Sequence, residues 1–560
     1  MKRNSAALAN TEYDIIVVGG GIFGVCSAWD AASRGLKVAL IEQGDFGHAT
    51  SANHFKVVHG GIRYLQHLDI PRIRESSAER SALLRVAPHL VHPMPFVIPT
   101  YGHGMESREV MMAGLMAYDA CTFDRNRDIS DPKRHVPRSR TISRTETIKM
   151  FPQLSDTDLT GAAIFHDGQM HNPPRLSLAY VQSAVEAGAD VANYTEVVEF
   201  LRDGDDEKSA VTGVAVHDRL TGDEYEVRGK LVLNATGPWA KWLLGTKKET
   251  KLEREPTFSR DAYFVVNRKL VGSHALAIQG QTKDPDAVLS RGNRHLFLVP
   301  WRDYTLVGVW HVVHKGRPEE FTVSDEDLQE FIDEVNVSCP ELNINPDEVS
   351  MWNAGLTLFG ENDPNAKDLS YGKRSILVDH KADHGIDGLI SLIGVRFTTS
   401  RGMAEKAINL AFQKLGIEVP VCKTRVKPLY GGDFDTFDGL IQNATTKCPE
   451  SVEKSILPDL LHSHGTQYPK LFDYIENDPS LGARIGKTST LKADVVHAVR
   501  NEMAQKLGDI VFRRTDMGTG AHPGDEALQT SADLVAEELD WSTNRKEREL
   551  AEVEAAFPKL

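Results

Sequence analysis

The stretch YDIIVVGGGIFGVCSAWDAASRGLKVALIEQGD, Tyr13 to Asp45, restricts what this chain can fold into more than any other. Ile15 to Val18 is a short β-branched run, the pattern of a strand buried on both faces, and Gly19, Gly21 and Gly24 follow it in G-x-G-x-x-G spacing. Gly19 permits a tight turn, Gly21 lets the backbone approach a pyrophosphate, and Gly24 lets the next helix lie close on the strand, with its amino-terminal dipole facing the phosphates. The pattern predicts a helix over about 22–33 ending near Arg34-Gly35, then a second strand in KVALIE. Its last residue, Glu42, is placed to accept hydrogen bonds from an adenosine ribose. A glycine-rich turn alone is weak evidence. Two strands, a helix and an acidic residue in register make a merely structural turn a poor explanation, and they point to a dinucleotide.

The rest of the chain sets bounds on that reading. At 560 residues it exceeds the size of a single core, so two or three domains are expected. Five cysteines, an odd number without CxxC spacing, argue against a disulfide framework or a cysteine metal site, and no metal is expected. The first twelve residues lack the apolar core of a signal peptide, and no run reaches the ~18 apolar residues of a membrane span. The expectation is a cytoplasmic protein, with peripheral attachment to the inner face of the membrane left open. A net charge of -15 disfavours nucleic acid as a partner.

Two distant segments bear on which dinucleotide. KLVLNATGPWA, Lys230 to Ala240, is an apolar strand stopping at Ala235-Thr236-Gly237, after the charged, hairpin-like stretch FLRDGDDEKSAVTGVAVHDRLTGDEYEV. SLIGVRFTTSRGMAEKAINLAFQKLG, Ser391 to Gly416, meets a turn at Gly394, and Thr398 or Thr399 can cap a helix with apolar positions at Met403, Ala407, Ile408 and Phe412. A helix start set against a flavin pyrimidine stabilises the negative charge that develops there on reduction. Three cofactor elements spread over about 400 residues suit an extended FAD better than NAD.

Between the first two elements, ATSANHFKVVHGGIRYLQHLD, Ala49 to Asp69, closely resembles the S-x-x-K-hydrophobic-hydrophobic-H-G-G-x-R-Y-L segment of FAD-dependent glycerol-3-phosphate dehydrogenases and α-glycerophosphate oxidases. The resemblance extends through APHLVHPMPFVIP, NATGPWAKW, FLVPWRDYTLVG, the segment from Ser391, YGGDF, and RNEMAQKLGDIVFRRT, Arg500 to Thr515. It implies an α/β chain with a Rossmann-like FAD domain of the glutathione-reductase type, an antiparallel-sheet substrate domain and a carboxy-terminal α-helical cap. The FAD domain is expected at 10–80, 160–245 and 385–420, the substrate domain at 81–159 and 246–384, and the cap at 425–560. Carried over residue by residue, the FAD site comprises Gly19, Gly21, Gly24, Glu42, Thr50, Ser51, His54, Lys56, His59, Gly60, Gly61, Val197, Ala235, Thr236, Gly237, Gly394, Arg396, Phe397 and Thr398.

The implied chemistry is hydride removal from a carbinol carbon onto flavin N5, with a nearby group taking the hydroxyl proton. Arg63, the arginine of HGGxRYL, and Arg374, in YGKRSILV, match substrate-facing cations of the resembled family. The sequence departs from that pattern around the same pocket. Thr357 stands where an arginine is expected, Val309-Trp310-His311 replaces Thr-Thr-Asp, Tyr263 replaces a histidine, and Arg396 replaces a lysine. His311 and Tyr263 bring groups able to exchange protons or hydrogen-bond a hydroxyl, and the arginine fork of residue 396 suits a carboxylate or phosphate differently from an ammonium. The favoured substrate is a small anionic polyol or sugar derivative, glycerol 3-phosphate-like, with glycerol 3-phosphate itself expected to be poor because Thr357 removes a phosphate partner. An amine or amino-acid oxidase and a non-catalytic flavoprotein are the alternatives. Expected partners are the substrate and an electron acceptor, oxygen or quinone; membrane contact and a homodimer stay open. His54 lies where some related amine dehydrogenases link a histidine to the flavin; a hydrogen-bonding neighbour of the cofactor is the simpler reading.

Overall fold

The computed structural model describes residues 1–104, 107–206, 208–244, 258–283, 293–358 and 375–558. Ile15–Val18 forms a strand with all four side chains buried, as its unbroken β-branched run requires. It lies inside a six-stranded sheet, in the order Ile376–Asp379, Leu389–Ile393, Val232–Asn234, Ile15–Val18, Val38–Ile41, Asp190–Ala192. All neighbours run parallel except the first pair. Alternation along the central strand divides the core. Ile15 and Val17 join the helices Ile22–Ser33, Pro173–Glu186 and Ser400–Lys414. Ile16 and Val18 join a second, four-stranded sheet built from the charged hairpin-like stretch.

The first helix spans Ile22–Ser33, as its pattern predicts, with Gly35 in the left-handed region just beyond it. Gly24 is what lets this helix approach. A Cβ there would lie 1.8 Å from the Gly19 carbonyl oxygen, so any side chain would push the helix off the strand. Trp29 and Tyr180 fill the space above, edge to face at 5.4 Å. Burying each stabilises the domain by roughly 1.5–3 kcal/mol.

The second large layer is a nine-stranded, mostly antiparallel sheet in the order Val349–Leu358, Phe258–Val266, Tyr304–His314, Asn293–Trp301, Ala275–Lys283, Val91–Tyr101, Leu159–Met170, Val57–Val58, with Arg140–Ser143 also paired to Leu159–Met170. The expected division differs at three strands: Val57–Val58, expected in the first domain, runs in this sheet, Ile376–Asp379, expected in the second, edges the six-stranded one, and the largest difference concerns Leu159–Met170. Assigned by sequence to the first domain, it runs in this sheet, paired along its length with Val91–Tyr101. Its twelve residues give it more backbone partners there than the short strands of the six-stranded sheet could offer. The chain re-enters the other layer at Pro173.

The last fifth or so of the chain is helical, from Phe437–Lys447 to Thr543–Glu554. The RNEMAQKLGDIVFRRT segment supplies the charges that fasten it to the dinucleotide layer. Asp45, just beyond the second strand, is fully enclosed and receives Arg513 Nε at 2.6 Å and Arg514 at 2.6 and 2.8 Å. Burial works against the Asp45 carboxylate, but the two guanidinium groups outweigh it and hold its pKa well below the usual range. Arg175 donates to both oxygens of Glu502, at 2.8 and 2.7 Å. Among the described residues, no helix is long and apolar enough to cross a membrane.

Candidate active site

A cavity of about 1200 Å³ is lined by residues of both layers. At one end lie Gly19, Gly21, Glu42, Ala235, Thr236 and Gly237, with Val197 beside them. The amino end of the first helix opens here, and Ser51 Oγ accepts from the Ile22 amide at 2.9 Å. Glu42 accepts from the Gly20 amide at 2.6 Å and the Gly44 amide at 2.7 Å, so it braces the glycine turn while facing the cavity. Gly237 is left-handed, with nothing within 4 Å of where its Cβ would be. A Cβ on Gly19 would meet the Ala235 carbonyl at 2.7 Å, so the two glycine turns lie back to back.

The middle of the cavity is formed by the Thr50 to Arg63 segment and by Gly394 to Thr398. Thr398 Oγ1 accepts from the His59 amide at 3.1 Å. Thr399 occupies the N-cap position of helix Ser400–Lys414 but makes no side-chain cap; its hydroxyl donates back to the Arg396 carbonyl. The expected capping role is therefore not made by either threonine. Gly394 lies flat on Phe23, whose ring would be 1.8 Å from an added Cβ. Gly60 and Gly61 bend the HGG segment over Arg80 and Ser76, and the Gly60 amide donates to Asp167 at 2.6 Å. Tyr64 is flanked by the guanidinium groups of Arg72, at 4.6 Å, and Arg396, at 4.9 Å. Arg63 also reaches the cavity.

His54 packs on Phe397 at 4.5 Å, and its Nδ1 accepts from the Lys56 amide at 3.2 Å. Its Nε2 is buried without a protein partner. Burial, reinforced by Lys56 and His59, lowers its pKa to about 3, so the ring is neutral. Lys56 does not line the cavity. Its backbone is left-handed, with φ of +59°, and its ammonium turns to Trp301, at 4.7 Å, and Tyr263, at 5.5 Å. Burial lowers it to about 7, with Arg302 acting the same way and Asp516 opposing.

One face of the nine-stranded sheet roofs the cavity, and its inward side chains fall into two rows. The apolar row runs Tyr263, Gly308, Phe297 and Ala277 through directly paired positions, and continues to Phe96 and Phe165. Tyr263 is 2 % exposed, its hydroxyl has no protein partner, and burial drives its pKa far up. The second row is polar and lies two residues along each strand, except on Tyr304–His314, where a bulge makes the step from Gly308 to His311 three. Asp261 pairs with His311, and His295 with Gln279. His311 Nδ1 is 2.7 Å from Asp261 Oδ1, and Thr357 Oγ1 donates to Asp261 Oδ2 at 2.8 Å. His295 is open to the cavity, yet the surrounding walls desolvate it and, with Arg63 nearby, lower its pKa.

Of the residues singled out by sequence, the structure brings Arg63, Tyr263, His311 and Arg396 to one cavity with most of the implied cofactor residues. Arg374 lies outside the described residues. Asp261, Asp167, Arg72, Arg294 and His295 also line the cavity and were not anticipated. FAD suits this site. A helix amino terminus opens onto one end, the Gly19 turn has no room for a Cβ, and two buried polar atoms, His54 Nε2 in the middle and the Tyr263 hydroxyl in the roof, lack partners among the described residues. Away from the cavity, His464, His497 and Glu502 come close enough to hold a metal, but Arg175 already occupies both oxygens of Glu502.

The family described as FAD dependent oxidoreductase matches residues 14–405, and the C-terminal domain of alpha-glycerophosphate oxidase matches residues 422–546. Glycerol-3-phosphate dehydrogenase of Synechocystis sp. is 31% identical over 558 residues, covering 98% of this chain and 97% of that protein. The probable mitochondrial glycerol-3-phosphate dehydrogenase of Dictyostelium discoideum is 31% identical over 561 residues, 96% of this chain and 83% of its own length. Among solved structures, glycerol-3-phosphate dehydrogenase from Bacillus halodurans complexed with FAD shares the fold. It has a TM-score of 0.74 and 23% identity, covering 98% of this chain and 95% of that one.

Proposed function

The chain belongs to the FAD-dependent oxidoreductase family, in the group of the glycerol-3-phosphate dehydrogenases and alpha-glycerophosphate oxidases, and on that premise we propose that it oxidises a CH-OH group of a small anionic polyol or sugar derivative. The observation that carries this reading is the Asp261–His311 pair on the polar row of the roof. A carbinol loses a proton as it loses its hydride, and an imidazole facing the cavity is suited to take it. FAD, when bound, supplies the two-electron acceptor for the hydride. Gly21, Ser51, Glu42, Gly237 and the amino end of the first helix would hold its nucleotide half.

Arg63 and Arg396 bind the anionic end of the substrate. Each charge-assisted contact is worth roughly 1.5–3 kcal/mol, or ~10-fold to 150-fold in affinity. Thr357 directs its hydroxyl to Asp261, so the neighbourhood where the resembled pattern has an arginine carries a carboxylate instead. This supports a weaker anion site than one built for a phosphate dianion, and glycerol 3-phosphate is expected to be turned over poorly. The apolar row keeps water from the hydride-transferring carbon. The amine-oxidase reading has less support, because Asp261 already receives His311, Thr357 and Ser259, and Asp167 is held by Arg80 and the Gly60 amide.

The acceptor belongs to the same proposal. Val110, Met112 and Met116 are exposed on the helix Arg108–Cys121, close in sequence to Met111, Gly114 and Leu115, which line the cavity; Leu68 and Ile70 are exposed nearby in the chain. Such an apolar rim suits a quinone at a bilayer edge more than free oxygen. An anaerobic titration read by flavin absorbance tests the whole reading, first with polyol phosphates and sugar acids, then with amines. Bleaching by hydroxyl compounds supports it. Bleaching by amines alone, or by dithionite alone, refutes it.

A further inference from the structure

We infer that Asp261 is a positioning residue that fixes His311 with its Nδ1 protonated and its Nε2 as the basic nitrogen, and that Thr357 in turn locks Asp261. This rests on the proposed oxidation of a CH-OH group. An ionised carboxylate only accepts hydrogen bonds. Asp261 Oδ1 at 2.7 Å from His311 Nδ1 therefore assigns the proton to Nδ1 and leaves Nε2 as the basic nitrogen. Asp261 Oδ2 accepts from Thr357 at 2.8 Å, and Ser259 also donates to the carboxylate, so its rotation is fixed from two sides.

Three adjacent strands build the arrangement. Asp261 stands directly across from His311 on one neighbour and from Gly355 on the other, two residues from Thr357. Asp261 and His311 are 24% and 17% exposed, and both line the cavity with Thr357, so the pair borders the substrate space and is not sealed in the core. Among the described residues, the other titratable groups lining this side of the cavity are Arg294 and His295 of the next strand, and Arg317 and Glu319.

In the step this geometry serves, the substrate O–H bond breaks as its proton goes to His311 Nε2. The C–H hydrogen leaves with its electron pair to FAD, and the carbon is left as a carbonyl. The base ends as imidazolium beside a carboxylate, which stabilises it. An arginine at 357 would compete for Asp261 and weaken this hold. The threonine that removes a phosphate contact thus serves the base.

The test uses FAD-loaded protein labelled with ¹⁵N-histidine, the His311 signals being assigned by their loss in His311→Gln. The wild type is expected to show a protonated Nδ1 and an unprotonated Nε2. In Asp261→Asn the side-chain amide can donate to Nδ1, and the tautomer is expected to reverse or become mixed. Flavin reduction by the substrate should slow about 100-fold or more, within the range of lost general-base catalysis. Substrate Kd should change far less than the rate, and toward tighter binding, since loss of the Asp261 charge relieves its repulsion of the anion. Thr357→Val, a near-isosteric change that keeps the fold if Asp261→Asn does not, should slow reduction by up to ~10- to 150-fold, the worth of one hydrogen bond to a charged group. A wild-type Nε2–H tautomer, or an Asp261→Asn spectrum identical to wild type, overturns the inference. The expected tautomers in a protein whose flavin no hydroxyl compound reduces would uphold the positioning role and sink the proposed function instead.

Discussion

Acidification should loosen the junction between the helical domain and the dinucleotide layer before any carboxylate there titrates. His89 and His497 are 2 % and 1 % exposed, with pKa values lowered to about 3 and about 4. Burial is the main cause for both; Arg175 and Arg134 add to it for His89, while Glu502 partly opposes it for His497. Each folded-state value lies below the unfolded value of about 6.5, so the neutral native ring contributes stability that is complete above pH ~6.5 and is lost as pH falls toward 4. At about pH 5 the unfolded imidazole has gained roughly 1.5 pH units of protonation free energy, or about 2 kcal/mol per histidine at 1.36 kcal/mol per unit. Two such groups give about 4 kcal/mol, a large share of the 5–15 kcal/mol that holds a typical protein together. Glu502 is held at about 2, where burial is outweighed chiefly by the attraction of Arg175, so it stays ionised throughout this window. His497→Leu isolates the effect, because neither ring nitrogen of His497 has a hydrogen-bond partner to lose. Thermal midpoints of wild type and variant should be measured at about pH 7.5 and 5. The fall on acidification should be smaller in the variant by about 4–8 °C, from about 2 kcal/mol at 2–4 °C per kcal/mol for a domain of this size. Equal falls in the two proteins would refute the reasoning.

Gly24→Ala is expected to give colourless protein, since its Cβ would lie 1.8 Å from the Gly19 carbonyl oxygen; full flavin absorbance after purification would contradict that role. Arg63→Ala should raise the KM of the anionic substrate ~10-fold to 150-fold with a smaller change in kcat, as steady-state kinetics would show. Acid precipitation should release all flavin to the supernatant, because His54 Nε2 is read as a hydrogen-bonding neighbour; a fluorescent polypeptide band that disappears in His54→Ala would establish a covalent link instead. Arg514→Met should destabilise the chain by about 3–5 kcal/mol in denaturant titration, because it strips a partner from the enclosed Asp45.

The dinucleotide half of the site was readable because its determinants are local. Ile15 to Glu42 carry turn, dipole and packing constraints within one contiguous stretch, and helix Ile22–Ser33 lies where its glycines require. The roof was readable only in part. His311 and Tyr263 were found as departures from a family pattern, yet Asp261 was missed, because its meaning arises from strand pairing across 50 residues. A signal did exist: Asp261 is the one carboxylate of the FSRDAYFVV strand, on an inward position two residues before Tyr263. Lys56 illustrates the opposite failure. Its neighbours His54, Phe55 and Val57 line the cavity, but a single left-handed residue reverses its direction, and no periodicity in the sequence announces that.

The two rows of the roof also separate what this architecture can change from what it must keep. Inward side chains on one strand are about 6.5–7 Å apart, so the polar row can be rewritten while the apolar row stays intact. Exchange of Thr357 is expected to alter the reactant that is accepted, and exchange of His311 or Asp261 the rate at which its proton is removed, without moving any backbone. Gly19, Gly24 and Gly394 are limited by atoms of the fold itself, at 2.7, 1.8 and 1.8 Å from any added Cβ. New substrates are therefore within reach of single substitutions, whereas a new cofactor would require new secondary structure.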